Sequence, residues 1–215
     1  MQGSLAHLFL DSDTYFKLNN VTLPTSNGTT QIDHVIVSRF GIFVVETKNM
    51  KGWIFGGEQD RQWTQSLFGK KYRFQNPLHQ NYRHTRALSQ FLGIEHDKIH
   101  SVVMFWGDCK FKTPMPSNVL THGYLSYFKS RSQVLFSDDE VQQLVSALNN
   151  GMLPQTWDTR QKHVADLKER FSSTTTCPKC GNALILRIAK SGQNAGSQFY
   201  GCSKFPSCRY TSPSS

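Results

Sequence analysis

Three ionisable residues bracket an otherwise apolar hairpin in the run QIDHVIVSRFGIFVVETK, residues 31–48: Asp33 stands at its entrance, Glu46 and Lys48 at its exit. Two carboxylates beside an amine are the side chains that metal-dependent phosphodiester hydrolysis requires. The carboxylates would hold Mg²⁺ through oxygen, the ion would polarise a phosphate and acidify a bound water, and the lysine would orient that water or offset developing charge. The ion would also compensate negative charge that is costly to bury alone. The competing assignment for the same residues is a plain salt bridge of Asp33 with Lys48 at a sheet edge.

A second constellation lies near the end of the chain, where Cys177-x2-Cys180 and Cys202-x5-Cys208 are separated by a spacer of 21 residues. A Cys-x2-Cys turn followed by Gly181 lets two thiolates face one tetrahedral ion, so the four cysteines are expected to hold structural Zn²⁺. Free thiols and an iron–sulfur cluster are the alternatives. A closed four-cysteine site leaves no open position for catalysis, and about 40 residues need the ion in order to fold. Cys109 stands apart and reads as a core or surface thiol.

For the three charges to act together the hairpin must bring them to one face. A two-residue turn at Phe40-Gly41 would set Arg39 opposite Ile42. Alternation then puts Asp33, Val35, Val37, Val44, Glu46 and Lys48 on one face, with His34, Ile36, Phe43, Val45 and Thr47 on the other. Around the hairpin the sequence predicts a strand ending at the turn signal Asn27-Gly28, and short aromatic strands between Gly-rich turns over residues 49–77. A helix opened by Asn76-Pro77 carries a stripe of Leu78, Tyr82, Leu88, Phe91 and Leu92 and stops at Gly93. A buried strand IHSVVMFWG follows, then a helix with a Ser137–Glu140 capping box and Gly151 just beyond its end. Strand–strand–strand, helix, strand, helix is a mixed α/β (α+β) pattern with a central antiparallel hairpin in a mixed sheet flanked by helices. A polar helical segment fading into Ser/Thr at about residue 172 sets the expected division: residues 1–151 as the main domain, 152–174 as a linker and 175–215 as the cysteine module.

The formal charge of the 215 residues is +9. Two stretches carry the excess without any acid: Arg61–Gln90, with six basic residues including Arg73 and Arg83, and Ser172 to the end, with five including Lys179, Lys190, Lys204 and Arg209. Separate basic patches suggest a polyanionic partner, of which nucleic acid is the commonest, with an ordinary solvated basic surface as the alternative. In the cysteine module Phe199, Tyr200, Phe205 and Tyr210 interleave with Lys204 and Arg209, offering stacking faces beside phosphate contacts. No apolar run is long enough to span a membrane. The opening residues lack the charged and apolar regions of a secretory signal, which predicts a cytoplasmic protein.

The run NGTTQIDHVIVSRFGIFVVETKNMKGWIFG, together with RFQNPLHQNYRH, resembles the nuclease-related domain, NERD, a branch of the PD-(D/E)xK or restriction-endonuclease-like superfamily. The likeness covers roughly residues 21–150. It implies a restriction-endonuclease-like core with Asp33 and Glu46 as Mg²⁺ ligands, Lys48 as catalytic lysine and Gln80 as a further active-site residue. Members of that family usually begin with a helix bearing a glutamate; no acid precedes Asp11 here, so that glutamate is either upstream or dispensed with. CPKCG and FYGCSKFPSCRYT resemble the C-terminal zinc ribbons of bacterial type IA topoisomerases, which bind single-stranded DNA. The leading expectation is therefore a Mg²⁺-dependent DNA nuclease directed by a zinc ribbon to DNA, single strands or processing intermediates included. The alternatives are a non-catalytic nucleic-acid-binding protein on the same scaffold and a zinc-bearing protein-interaction adaptor.

Overall fold

A computed structural model of the chain describes residues 10–25, 28–173, 175–178 and 180–214. The apolar stretch before Leu10, Asn27 of the Asn-Gly turn and Lys179 of the second basic stretch lie outside the described residues. The chain divides into two compact units, Met1–Thr25 with Thr30–Gln155, and Ser26–Thr29 with Thr156–Ser215.

In the larger unit, β1 (Phe16–Thr25), β2 (Gly28–Ser38) and β3 (Gly41–Asn49) join β7 (Ile99–Trp106) and the short β9 (Val119–Leu120) in a five-stranded sheet of order β1-β2-β3-β7-β9. β3 runs antiparallel to β2 and parallel to β7, so the sheet is mixed and β3 is its centre. The parallel step needs a crossover, and α1 (Pro77–Leu92) supplies it. A second sheet, of order β6-β5-β4-β8, is formed by β4 (Gly52–Phe55), β5 (Gln62–Leu67), β6 (Lys70–Gln75) and β8 (Cys109–Phe111). The smaller unit holds helix α4 (Trp157–Ser172) and a three-stranded sheet of β10 (Leu184–Ile188), β11 (Gln198–Cys202) and β12 (Thr211–Pro213) around the cysteines. No helix among the described residues is long and apolar enough to cross a membrane.

The hairpin faces divide as alternation requires. Val35, Val37, Ile42 and Val44 pack with Leu88 of α1 and with Leu144 and Leu148 of α3 (Asp138–Gly151). Ile36, Phe43 and Val45 pack on the opposite face with Val102, Met104 and Phe128, the last from α2 (Tyr124–Lys129). The turn, however, is Arg39-Phe40 and not Phe40-Gly41: Ser38 opposes Gly41, and Val35 opposes Val44. Ser38 decides this, accepting a hydrogen bond from Phe40 N and donating from Oγ to the Gly41 carbonyl. Gly41 itself sits at φ +116°, where a Cβ would meet the His100 ring and the Lys98 carbonyl. The register moves by two residues, and an even shift keeps every side chain on its expected face.

α1 also departs from expectation. Asn76 caps it through the Leu78 N–H, Pro77 takes its first turn, and Gly93 ends it in the left-handed conformation. Its buried face is nevertheless mostly polar, made of Pro77, Asn81, His84, Thr85, Leu88 and Ser89, while Tyr82 is exposed. The apolar stripe read from the sequence missed this because the sheet satisfies the Asn81 amide nitrogen, whose two N–H groups are shared among Val44 O at 2.9 Å, Ser101 Oγ at 2.9 Å and Val102 O at 3.0 Å. α3 starts at the expected capping box, but Gly151 closes the helix as its last residue.

Asn81→Ala removes two N–H donors shared among three acceptors, with each hydrogen bond worth about 0.5–1.5 kcal/mol, so a loss of about 1–3 kcal/mol is expected. It would appear in urea unfolding as a lower midpoint at unchanged slope. A midpoint equal to that of the parent would show that Asn81 does not fasten α1 to the sheet.

Candidate active site and metal centre

The C-terminal end of β3 presents Glu46 and Lys48 toward α1, two residues apart and therefore on one face. Glu46 is 2 % exposed, an extreme position for a carboxylate. Lys48 Nζ donates to its Oε1 at 2.5 Å and to Gln80 Oε1 at 3.1 Å. His84 Nε2 lies 3.4 Å from Oε2, close enough for attraction but not aligned as a hydrogen bond. Behind it His84 Nδ1 meets Thr30 Oγ1 at 2.9 Å. Burial alone would raise the Glu46 carboxyl; His84 and Lys48 together outweigh it and hold the group below its ordinary value.

Asp33 sits where the β2–β3 ladder has ended. The last paired residues are His34 and Val45, and Asp33 Oδ2 accepts from the Thr47 backbone N–H at 2.9 Å and from Thr47 Oγ1 at 2.7 Å. The carboxylate thus replaces a strand partner, which anchors it and leaves Oδ1 without a hydrogen bond among the described residues. The plain Asp33–Lys48 bridge does not form: Lys48 pairs with Glu46, and β3 is a central strand. Of the four expected residues, Glu46, Lys48 and Gln80 form one hydrogen-bonded cluster at the end of β3 and the start of α1, and Asp33 is fastened to the intervening Thr47. Sequence reasoning left out Thr30 and the contact of Thr47 with Asp33; His34, His79 and His84 read from the sequence as candidate ligands or as packed or surface histidines, and His84 packs against Glu46. The spacing of Gln80 and His84, one helical turn apart, was the available signal.

The chemistry of this donor set suits a hard cation. Two carboxylates, one of them with a buried oxygen that makes no hydrogen bond, offer oxygen ligands of the kind Mg²⁺ takes, with waters and substrate phosphate filling the rest. Asp33, Glu46 and His84 do not form a compact set of ligand atoms, although His84 Nε2 lies 3.4 Å from Glu46 Oε2. Among the described residues only Cys177, Cys180, Cys202 and Cys208 form such a set of three or more.

The four sulfur atoms lie within 4.8 Å of one another, with Cys180–Cys202 at 3.3 Å and Cys177–Cys208 at 3.8 Å. Sulfurs about 2.3 Å from a tetrahedral Zn²⁺ stand about 3.8 Å apart, so the quartet fits the ion. Hydrogen bonds from the Cys177 and Cys208 thiols, helped by Asn182, push the Cys180 thiol down, while its neighbour Cys208 is pushed up to about 11. Tyr200 and Tyr210 pack against this cluster. Phe199 is half-buried, and Phe205 is 60 % exposed beside exposed Lys204 and Arg209. Lys190 is exposed at the end of the β10 hairpin arm, Arg73 is exposed on β6, and Arg83 is half-buried on α1.

The model of the nuclease-related domain, NERD, matches residues 3–106, and that of the topoisomerase DNA-binding C4 zinc finger matches residues 174–215. An uncharacterized protein of Bacillus anthracis is 38 % identical over 169 residues, spanning 76 % of this chain and 79 % of its own length. The chain belongs to the NERD family. No solved structure matches it. Its NERD module is the mixed α+β unit that holds Asp33, Glu46 and Lys48, and its four-cysteine module is a DNA-binding type of zinc ribbon.

Cys180→Ser should abolish stoichiometric zinc, measured by metal analysis of the purified chain, and leave near-ultraviolet circular dichroism unchanged. The tryptophan bands of that signal report mainly the larger unit, because Trp53, Trp63 and Trp106 lie there, while Trp157, in the smaller unit but outside the ribbon, is 72 % exposed. Loss of the tryptophan signal on chelation would mean that the NERD core also depends on zinc.

Proposed function

We propose that this NERD protein is a Mg²⁺-dependent DNA phosphodiesterase, with a nuclease domain over residues 1–151, a helical linker over 152–174 and a zinc ribbon over 175–215 that brings it to single-stranded DNA or processing intermediates. The observation that carries this is Glu46, a nearly inaccessible carboxylate with one oxygen held by Lys48 and the other without a hydrogen bond, at the same strand end as the anchored Asp33. Glu46 Oε2 and Asp33 Oδ1 would hold the ion, which when bound supplies Lewis acidity at the phosphate and an acidified water. Gln80 fixes the Lys48 ammonium, and Lys48 is the group that orients the attacking water or offsets charge on the phosphate oxygens. Thr47 keeps Asp33 from turning away, and His84 steadies Glu46.

One observation favours the non-catalytic alternative. Lys48 and His84 already flank both Glu46 oxygens, so the buried charge is compensated without a metal and the same network could serve only to hold the scaffold together. A cleavage assay separates the two readings. Glu46→Ala should eliminate Mg²⁺-dependent cleavage of DNA while leaving DNA affinity within about twofold, because the ribbon and surface cations make the phosphate contacts. Cleavage by Glu46→Ala equal to the parent's would remove the catalytic assignment, and absence of cleavage by both would support the binding scaffold. Deleting residues 172–215 should weaken single-stranded binding more than duplex binding, since stacking needs exposed base faces. Equal affinities before and after deletion, across a salt titration, would take the ribbon out of DNA recognition.

A further inference from the structure

The second sheet, β6-β5-β4-β8, buries one face: Ile54 and Trp63 pack there with Phe105 and Phe111. The other face is set by register. Lys71 opposes Ser66, Ser66 opposes Trp53, and Trp53 opposes Lys110, which makes one row across all four strands. Two residues along, Arg73 opposes Thr64 and Thr64 opposes Phe55, and Lys112, whose N–H donates to Ile54 O at 2.8 Å, continues β8 beside them. Each row therefore has a cation on either outer strand with a hydroxyl and an aromatic ring between.

Lys71, Arg73, Lys110 and Lys112 are all exposed, and none is in an ion pair among the described residues. Trp53 is 52 % exposed, with the Lys112 ammonium 4.4 Å from its ring centre. At the β5–β6 tip, Phe68 is 95 % exposed and held at φ +50°, a region that bulky residues avoid. An aromatic maintained there against both hydrophobicity and backbone preference makes no contribution to the core. The acids nearest this face are Asp108, just ahead of β8, and Glu58 and Asp60 in the β4–β5 turn, where Asp60 is tied to the Gly57 N–H at 2.7 Å.

We propose that this outer face binds single-stranded DNA, with bases stacked on Trp53 and Phe55 and phosphates along the lysine and arginine edges. It is a site separate from both the Glu46 cluster and the zinc ribbon, and it rests on the DNA-binding reading given above. The charge pattern selects the partner. Four unpaired cations call for a polyanion, and aromatic rings between them call for one with exposed planar faces, which a duplex withholds. Three strand spacings of about 4.8 Å put the two basic edges about 14 Å apart, room for one polynucleotide strand along β4 and β5. Lys112 holds the indole in place until a base arrives and then has a phosphate to meet.

The test uses the zinc-loaded full chain and oligothymidylate carrying 5-iododeoxyuridine, irradiated and mapped by mass spectrometry, alongside anisotropy titrations. Crosslinks at Trp53 or Phe55 are expected, equally in Glu46→Ala, so that failure of catalysis and failure of this surface are read separately. Trp53→Ala should weaken oligothymidylate binding about tenfold, with Trp53→Phe restoring most of it. Replacing Lys71 and Lys110 together by Gln should flatten the salt slope by about 1.4. Crosslinks confined to residues 175–214, with unchanged affinity in Trp53→Ala, would overturn the proposal. So would an equal loss of duplex binding in Trp53→Ala, which would make the face a backbone groove, or crosslinking to oligouridylate in preference to DNA, which would make the partner RNA.

Discussion

One buried carboxylate organises the centre of this molecule. Glu46 lies on the middle strand of a mixed sheet, and an uncompensated charge there would cost several kcal/mol. Its neighbours follow from that requirement. Lys48 returns from two residues along the same strand, Gln80 holds Lys48 in place, and His84 stands one helical turn further along α1 with Thr30 behind it. α1 can approach so closely because Asn81 is clamped to carbonyls of β3 and β7, which is why the helix buries a polar face. The packing of the larger unit and the geometry of the candidate site thus depend on the same contact between α1 and the sheet.

That contact also explains the division of labour between Glu46 and Asp33. Glu46 is compensated by side chains and Asp33 by a backbone N–H at the point where two strands part. With the ladder ended there, each carboxylate keeps one oxygen that makes no hydrogen bond among the described residues. The four-cysteine unit solves a different problem, since its sheet of three short strands is too small to hold its shape by apolar burial and relies on the sulfurs being drawn to one ion.

Much of this was legible before any coordinates. Alternation assigned Val35, Val37 and Val44 to one face and Ile36, Phe43 and Val45 to the other, as the packing has them, and the error of two residues in the turn was harmless because faces repeat with that period. The cysteine spacing specified its own site, since small knuckles leave little conformational choice. What escaped were features that depend on contacts distant in sequence. Apolar periodicity could not find the buried face of α1, because His84 Nδ1 and Asn81 Nδ2 are held by partners 54 and 37 residues away. The rows Lys71–Ser66–Trp53–Lys110 and Arg73–Thr64–Phe55 arise from strand pairing, so Trp53 and Lys110, lying outside the basic stretch, gave no sign of belonging to it.

The central claim is that Glu46 and Asp33 form a divalent-cation site distinct from the cysteine quartet. Mn²⁺ reports it directly, as a paramagnetic stand-in for Mg²⁺ that oxygen ligands accept. Electron paramagnetic resonance of the zinc-loaded full chain titrated with Mn²⁺ should show one bound ion, displaced by excess Mg²⁺, absent in Glu46→Gln and retained in a variant whose ribbon binds no zinc. A chain that leaves Mn²⁺ free at millimolar concentration, or a Glu46→Gln variant that binds it as the parent does, would contradict the claim.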